Sequence, residues 1–216
     1  MIKNDREYRD MQISVMVDDG PDERPEEEKR KIVQGYAATF NEPYVLFSDD
    51  NMVMREQIDP GAFDDCDMSD VIMQYNHEGR VFARISNNTL RVQPDDKGLF
   101  IEANLGGTEL GRELYDEIAG GYTDKMSFGF KVEADEWTDS TEDGRAVYDR
   151  KITRVSKLFD VSAVSIPAND ATSISVRSLA DGVIERVRAE RLEAERVELE
   201  RRRAEIRARA VKVKSF

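Results

Sequence analysis

Residues 71–104 read VIMQYNHEGRVFARISNNTLRVQPDDKGLFIEAN, and the fold class follows from them. The stretch holds four short runs with strand character: Val71 to Tyr75, Val81 to Ile85, Thr89 to Gln93 and Gly98 to Asn104. Each is too short for a helix, and turn signals such as Asp95-Asp96-Lys97-Gly98 separate them. Short strands at close, regular spacing predict a sandwich or a closed barrel. The same texture continues outward. Upstream lie Ile32 to Phe40, whose pattern Gly35 interrupts as a bulge would, and residues 11–17 (MQISVMV), where Ile13, Val15 and Val17 alternate. Downstream lie Met126 to Glu133, Val147 to Val155 and Leu158 to Ile166. One interior helix is marked by Thr108 as N-cap, by Leu110, Leu114 and Ile118 at i, i+4, i+8, and by Gly120-Gly121 as a stop. The expected fold is α+β, mainly β: a barrel-like antiparallel core with flanking helices and a charged C-terminal helix.

The chain has 216 residues, the size of one domain with an appendage. Its 45 acidic and 32 basic residues give a net charge of −13, which repels nucleic-acid phosphates and anionic lipid at long range. Neither nucleic acid nor membrane is an expected partner. No run reaches the roughly 18 apolar residues of a membrane span, and the first ten residues lack the apolar stretch of a signal peptide. A soluble protein that stays where it is made is expected. A single cysteine, Cys66, rules out an internal disulfide, and with His77 as the only histidine there is no Cys/His cluster for zinc. No metal and no cofactor are expected.

Two segments stand apart by composition. Residues 18–30 (DDGPDERPEEEKR) contain two prolines and no aliphatic side chain, so burial cannot offset their ordering entropy, and a mobile acidic loop is expected. From about Ala180 the chain turns to Arg, Glu and Ala; residues 180–216 hold 11 bases and 8 acids. Leu192, Leu199, Ile206 and Val213 recur every seven residues, but Arg and Glu fill the companion positions, a poor coiled-coil seam. Pairs such as Glu198/Arg202 and Glu205/Arg209 support an exposed helix. The domains read as 1–178 for the folded body and 179–216 for a charged helical tail. That tail is either a solvated helix or a connector to a scaffold or capsid.

Three places could carry chemistry. His77 follows the apolar run Val71-Ile72-Met73 at the point where a strand meets a turn, and it is the one side chain with an ordinary pKa near neutrality. By position alone it reads as a surface turn histidine with no role. In Lys125-Met126-Ser127-Phe128-Gly129-Phe130, alternation buries Met126, Phe128 and Phe130 and leaves Ser127 and Gly129 on the other face. Ser127 is then either a nucleophile on a rigid strand or a small residue on a crowded one. Asp160 stands in a largely apolar row with Leu158, Ser162, Val164 and Ile166, and a buried carboxylate needs a partner, an imidazole or an arginine such as Arg154. Together Ser127, His77 and Asp160 would suffice for acyl transfer as nucleophile, base and orienting acid. The sequence has no Walker or Rossmann glycine loop, no HExxH and no G-x-S-x-G elbow.

Five stretches in order carry a resemblance: Gly35-Tyr36-Ala37-Ala38-Thr39-Phe40, Ile58-Asp59-Pro60-Gly61-Ala62-Phe63, Asn76-His77, Met126-Ser127-Phe128-Gly129-Phe130, and Asp160 through Asn169. Across about residues 32–170 the chain resembles the prohead, or capsid-maturation, serine proteases of tailed bacteriophages, which are related in fold to herpesvirus assembly proteases. The resemblance implies a serine endopeptidase that cleaves capsid and scaffold proteins, and itself, inside the assembling procapsid in the host cytoplasm. His77 would be the base and Ser127 the nucleophile. The acid in the last motif is more often Glu in the family than the Asp160 found here. The partners implied are the major capsid protein and scaffold, with a homo-oligomer left open. The alternative is a non-enzymatic capsid assembly or scaffolding protein of the same fold.

Overall fold

A computed structural model describes residues 6–12, 16–17, 31–165, 189, 192–193 and 196–202. In chain order the strands are β1 (Glu7–Gln12), β2 (Met16–Val17), β3 (Ile32–Thr39), β4 (Tyr44–Ser48), β5 (Met52–Ile58), β6 (Ile72–Tyr75), β7 (Glu78–Arg84), β8 (Leu90–Pro94), β9 (Gly98–Asn104), β10 (Lys125–Glu142) and β11 (Arg145–Val164). A single-turn 3-10 helix spans Ile85–Asn87, and helix α1 spans Glu109–Ala119. The chain divides into two units, residues 1–172 and 173–216.

The strands build two sheets. One runs β2-β3-β9-β8, all antiparallel; the other runs β1-β10-β11-β5-β4, with β6 and then β7 joined to the far half of β11. The mainly β expectation holds, whereas no closed barrel forms among the described residues. The large sheet is also not purely antiparallel: β11 pairs in parallel with β5 along Ala146–Ile152 and with β6 along Asp160–Ala163. The cause is the length of β11. Its 20 residues form one continuous hairpin with the 18 of β10, so one strand offers two successive edges to two different neighbours. Where short separate strands were expected at 147–155 and 158–166, β-bulges bend a single long one. Phe159 is left unpaired between the pairs Gly129↔Asp160 and Phe130↔Leu158.

Core formation follows the alternation. Val33, Leu99, Ile101 and Ala103 of the small sheet share one buried cluster with Met126, Phe128, Phe130, Val155, Leu158 and Val161 of the large one. Thr108 caps α1 by accepting a bond from the Gly111 amide at 3.0 Å, satisfying one of the free amides of the first turn. The buried stripe of α1 is Gly111, Leu114, Tyr115 and Ile118; Leu110, expected in it, is exposed. The bulge in β3 falls between Tyr36 and Ala38, two residues beyond Gly35, which pairs regularly with Ile101. At the β8–β9 turn, the Asp95 carboxylate accepts from the Lys97 and Gly98 amides at 2.8 and 3.0 Å.

The acidic segment 18–30 and residues 13–15 lie outside the described residues, as do Ile206 and Val213 of the tail. Residues 196–202 are helical and, apart from half-buried Glu198, exposed, with Glu198 paired to both Arg201 and Arg202. No described helix is long and apolar enough to cross a membrane.

Candidate active site

Three adjacent strands converge on the site. Across the sheet, Ser127 on β10 faces Ser162 on β11, which faces Gln74 on β6; Gly129 on β10 faces Asp160, which faces Ile72. Ser127 and Asp160 therefore stand two residues apart along neighbouring strands, on the face opposite the Phe128 core. His77 comes from the loop closing β6 and β7, where Tyr75 pairs with Glu78 and only Asn76 and His77 remain to turn the chain. Both adopt left-handed φ, 52° and 60°, the geometry of a tight type I′ hairpin. This turn folds His77 back over the sheet and onto the other two residues.

The contacts form one line. His77 Nδ1 lies 2.6 Å from Asp160 Oδ1, and His77 Nε2 lies 2.6 Å from Ser127 Oγ. A carboxylate only accepts, so Nδ1 carries the proton and Nε2 is left to accept from the serine. Ser127 Oγ also lies 2.9 Å from the Arg9 carbonyl. One hydroxyl proton cannot serve both acceptors, and the shorter contact is to His77.

Sequence reading missed the residues in and just before β1 that surround this line. Arg6 forms an ion pair with Asp160 Oδ2, and its guanidinium lies 4.5 Å over the Phe159 ring. The bulge accounts for that stacking: it puts Phe159 and Asp160 against the same guanidinium and sends Leu158 into the core. Leu158 was expected on the Asp160 face. Arg154, offered as a partner for Asp160, instead faces Glu133 at 3.7 Å. Ser162 donates to Asp160 Oδ1 at 2.9 Å, and Tyr8 packs edge-on against the imidazole at 4.3 Å. Gly129 makes room for this group. A Cβ there would fall 2.6 Å from Asp160 Oδ2 and 2.8 Å from Arg6 Nε, closer than real side chains approach. The start of β1, EYRD, does not announce a strand, because its inward residues Glu7 and Arg9 are charged.

Burial sets the electrostatics. Ser127 and Asp160 are fully buried, and the His77 side chain is 15% exposed. Burial of the imidazole, and then the Arg6 cation, hold the His77 pKa down at about 4. His77 is thus a neutral base at pH 7. The chain's one thiol is not poised as a nucleophile: burial pushes Cys66 up to about 11. No group of three His, Cys, Asp or Glu able to hold a metal occurs among the described residues.

A mainly β protein carrying a serine, an imidazole and a carboxylate in hydrogen-bonded sequence falls in the class of serine hydrolases. A family model described as the caudovirus prohead serine protease matches residues 21–183, well over half of the chain, and the chain belongs to that family. No curated protein and no solved structure matches. Membership carries serine protease activity and a role in capsid maturation.

Proposed function

We propose that the protein is a serine endopeptidase that cleaves capsid and scaffold proteins, and its own chain, during procapsid maturation. In this reading Ser127 is the nucleophile, His77 the general base and Asp160 the residue that orients the base. The observation that carries it is the unbroken run from Asp160 through both imidazole nitrogens to Ser127, each contact 2.6 Å. As Ser127 Oγ attacks a peptide carbonyl carbon, its proton moves to Nε2, and the resulting imidazolium faces Asp160. The same proton then goes to the leaving amine. Water, deprotonated by His77 in turn, releases the acyl group.

The division of labour follows the sequence: 1–178 as the protease domain and 179–216 as a connector to scaffold or capsid. Exposed Leu192, Val197 and Leu199 in a charge-rich segment support a docking role for the tail. The work would take place inside the assembling procapsid in the host cytoplasm. Intact-mass analysis of purified wild type beside Ser127→Ala, each incubated with capsid subunits, tests the proposal. Wild type is expected to cut the subunits and to lose mass from residues 179–216, whereas Ser127→Ala does neither. Equal trimming in both would sink it.

A further inference from the structure

Strand β1 lies on the outer edge of β10 as an extended antiparallel segment, paired from Glu7↔Phe130 to Gln12↔Lys125. Its seat has two parts. On the site face the Arg9 carbonyl lies against Ser127 Oγ at 2.9 Å. The Arg9 side chain leaves for the interior, where Nε and Nη2 reach the two carboxylate oxygens of Glu56 at 2.6 and 2.8 Å. This is a fork-to-fork pairing, the geometry for which a guanidinium is better suited than an ammonium. Glu56 is itself fully buried and held from behind by the Tyr44 hydroxyl and by Arg150 Nη1 at 2.8 Å. The Arg9 guanidinium also lies 5.5 Å over the Phe130 ring.

The walls of this seat and its occupant differ in origin. Tyr44, Glu56, His77, Ser127, Arg150 and Asp160 all fall within residues 21–183 matched by the protease family, and β1 does not. β1 brings both signs to the pocket, since Glu7 accepts from Arg150 Nη1 at 2.7 Å and pairs with Arg9. Without β1 the net charge is unchanged, but Glu56 keeps Arg150 and loses both bonds that the Arg9 fork makes to its carboxylate oxygens. Burial alone would push the Glu56 carboxyl up, yet Arg9 and then Arg150 hold it below the usual range, so the second cation matters to its state.

We infer that the β10 edge is the substrate-binding edge and that Glu56 selects a basic side chain, arginine above lysine, on the residue whose carbonyl meets Ser127. The substrate class is an extended protein segment cut after a basic residue. The inference rests on the serine protease reading. Because Ser127 is fully buried beneath β1, a peptide takes the edge in exchange for β1 and not beside it. An apolar residue in that register leaves a buried carboxylate short of a partner, the situation in which sites built for polar groups discriminate strongly.

The test uses full-length protein and three peptide aldehydes, acetyl-Glu-Tyr-Arg, -Leu and -Glu aldehyde. Ser127 Oγ adds to the aldehyde carbon and its proton passes by way of His77 to the aldehyde oxygen, giving a neutral hemiacetal with nothing else consumed. Occupancy is read as protection of Ser127 from a fluorophosphonate label, by intact mass. The arginine aldehyde should protect at concentrations at least about tenfold below the other two, and Glu56→Gln should remove the difference. Equal potency, or preference for the leucine or glutamate aldehyde, overturns the inference while leaving the protease reading intact. A wild-type Ser127 that takes no label overturns both. Should Glu56→Gln not fold, the order of the three aldehydes on wild type decides alone.

Discussion

Two hairpin turns in the large sheet have the same backbone and opposite chemistry. Asp143-Gly144 joins β10 to β11, and Asn76-His77 joins β6 to β7; each is a two-residue loop with left-handed φ at both positions, 49° and 79° in the first, 52° and 60° in the second. Asp-Gly is among the pairs this turn prefers, since glycine enters the left-handed region at no steric cost. Histidine does not, and a non-glycine residue held there costs roughly 1–2 kcal/mol. The second turn is held by contacts the first lacks. Asn76 donates its backbone amide to the Ala163 carbonyl at 3.0 Å, accepts from the Ser165 amide at 3.0 Å, and donates its side-chain amide to Ser165 Oγ at 3.2 Å. His77 adds its contacts to Asp160 and Ser127. Strain survives where surrounding contacts over-determine it, and here those contacts are the candidate site itself.

The most severe way to break the comparison is to make the two turns alike. His77→Gly gives the β6–β7 turn an Asn-Gly pair, which should fold at least as readily as the original loop. Peptide cleavage should nevertheless fall by about 10⁴- to 10⁶-fold, as far as in Ser127→Ala, and the double variant should lose little more, because nucleophile and base act as one unit. Thermal melts run beside the cleavage assay separate the two effects. Cleavage within tenfold of wild type in His77→Gly would mean the strained turn holds no base. Asp160→Asn comes next, with a loss of about 10²- to 10⁴-fold, since nucleophile and base remain but the tautomer and orientation of the imidazole are no longer enforced. A wild-type rate would put the orienting acid elsewhere.

How much of this was legible depends on which force positions each residue. Strands of the small sheet and the inward face of β10 follow apolar alternation, so Met126, Phe128 and Phe130 were readable and Ser127 with them. Helix α1 announced itself through Thr108 and Gly120-Gly121. The long β10–β11 hairpin was hidden because the outer half of β10, from Lys131 onward, is mostly exposed and carries no apolar alternation, although Asp143-Gly144 is a turn signal that would have joined the two strands. Strand β5 carries Arg55 and Glu56 where an apolar pattern would be sought. Strand β1 was unreadable for the same reason: its inward Arg9 is stabilised by Glu56, 47 residues away, and Glu7 by Arg150, 143 residues away, and by Arg9. Burial alone would raise the Glu7 pKa, and those two arginines bring it down to about 2. No local pattern encodes an ion network between distant strands.

A finer cut separates the support of the turn from its shape. Asn76→Ala removes the side-chain bonds to Ser165 and leaves the imidazole in place but less well oriented. It should lower kcat by about tenfold with KM nearly unchanged, an orientation loss of about 1–2 kcal/mol. Gly144→Ala at φ 79° should do the reverse, costing about 1 kcal/mol of folding stability with cleavage unaffected. Denaturant melts and steady-state kinetics on both variants form the check. If Gly144→Ala slowed cleavage as much as Asn76→Ala, the two turns would not differ in function at all.

The smallest expected effect concerns the charge state of the strained turn. His77 is the chain's one histidine, so its ring protons can be followed by NMR without assignment. In the folded protein its pKa lies at about 4, held down first by burial and then by Arg6. An unfolded chain takes up that proton near 6.5, so between these two values the unfolded state binds more protons and stability falls as pH drops. Above about 6.5 the histidine contributes no pH dependence. The neutral form is also the base, so the acid limb of kcat/KM should follow the same group, with activity lost as pH falls through about 4. Arg6→Gln removes the second cause and leaves the first. The midpoint should therefore move up while staying below its ordinary value, and the acid limb should move with it. Were the imidazole in Arg6→Gln to titrate where it does in wild type, Arg6 would hold Asp160 without acting on the base, and the electrostatic account of Arg6 at this site would fail.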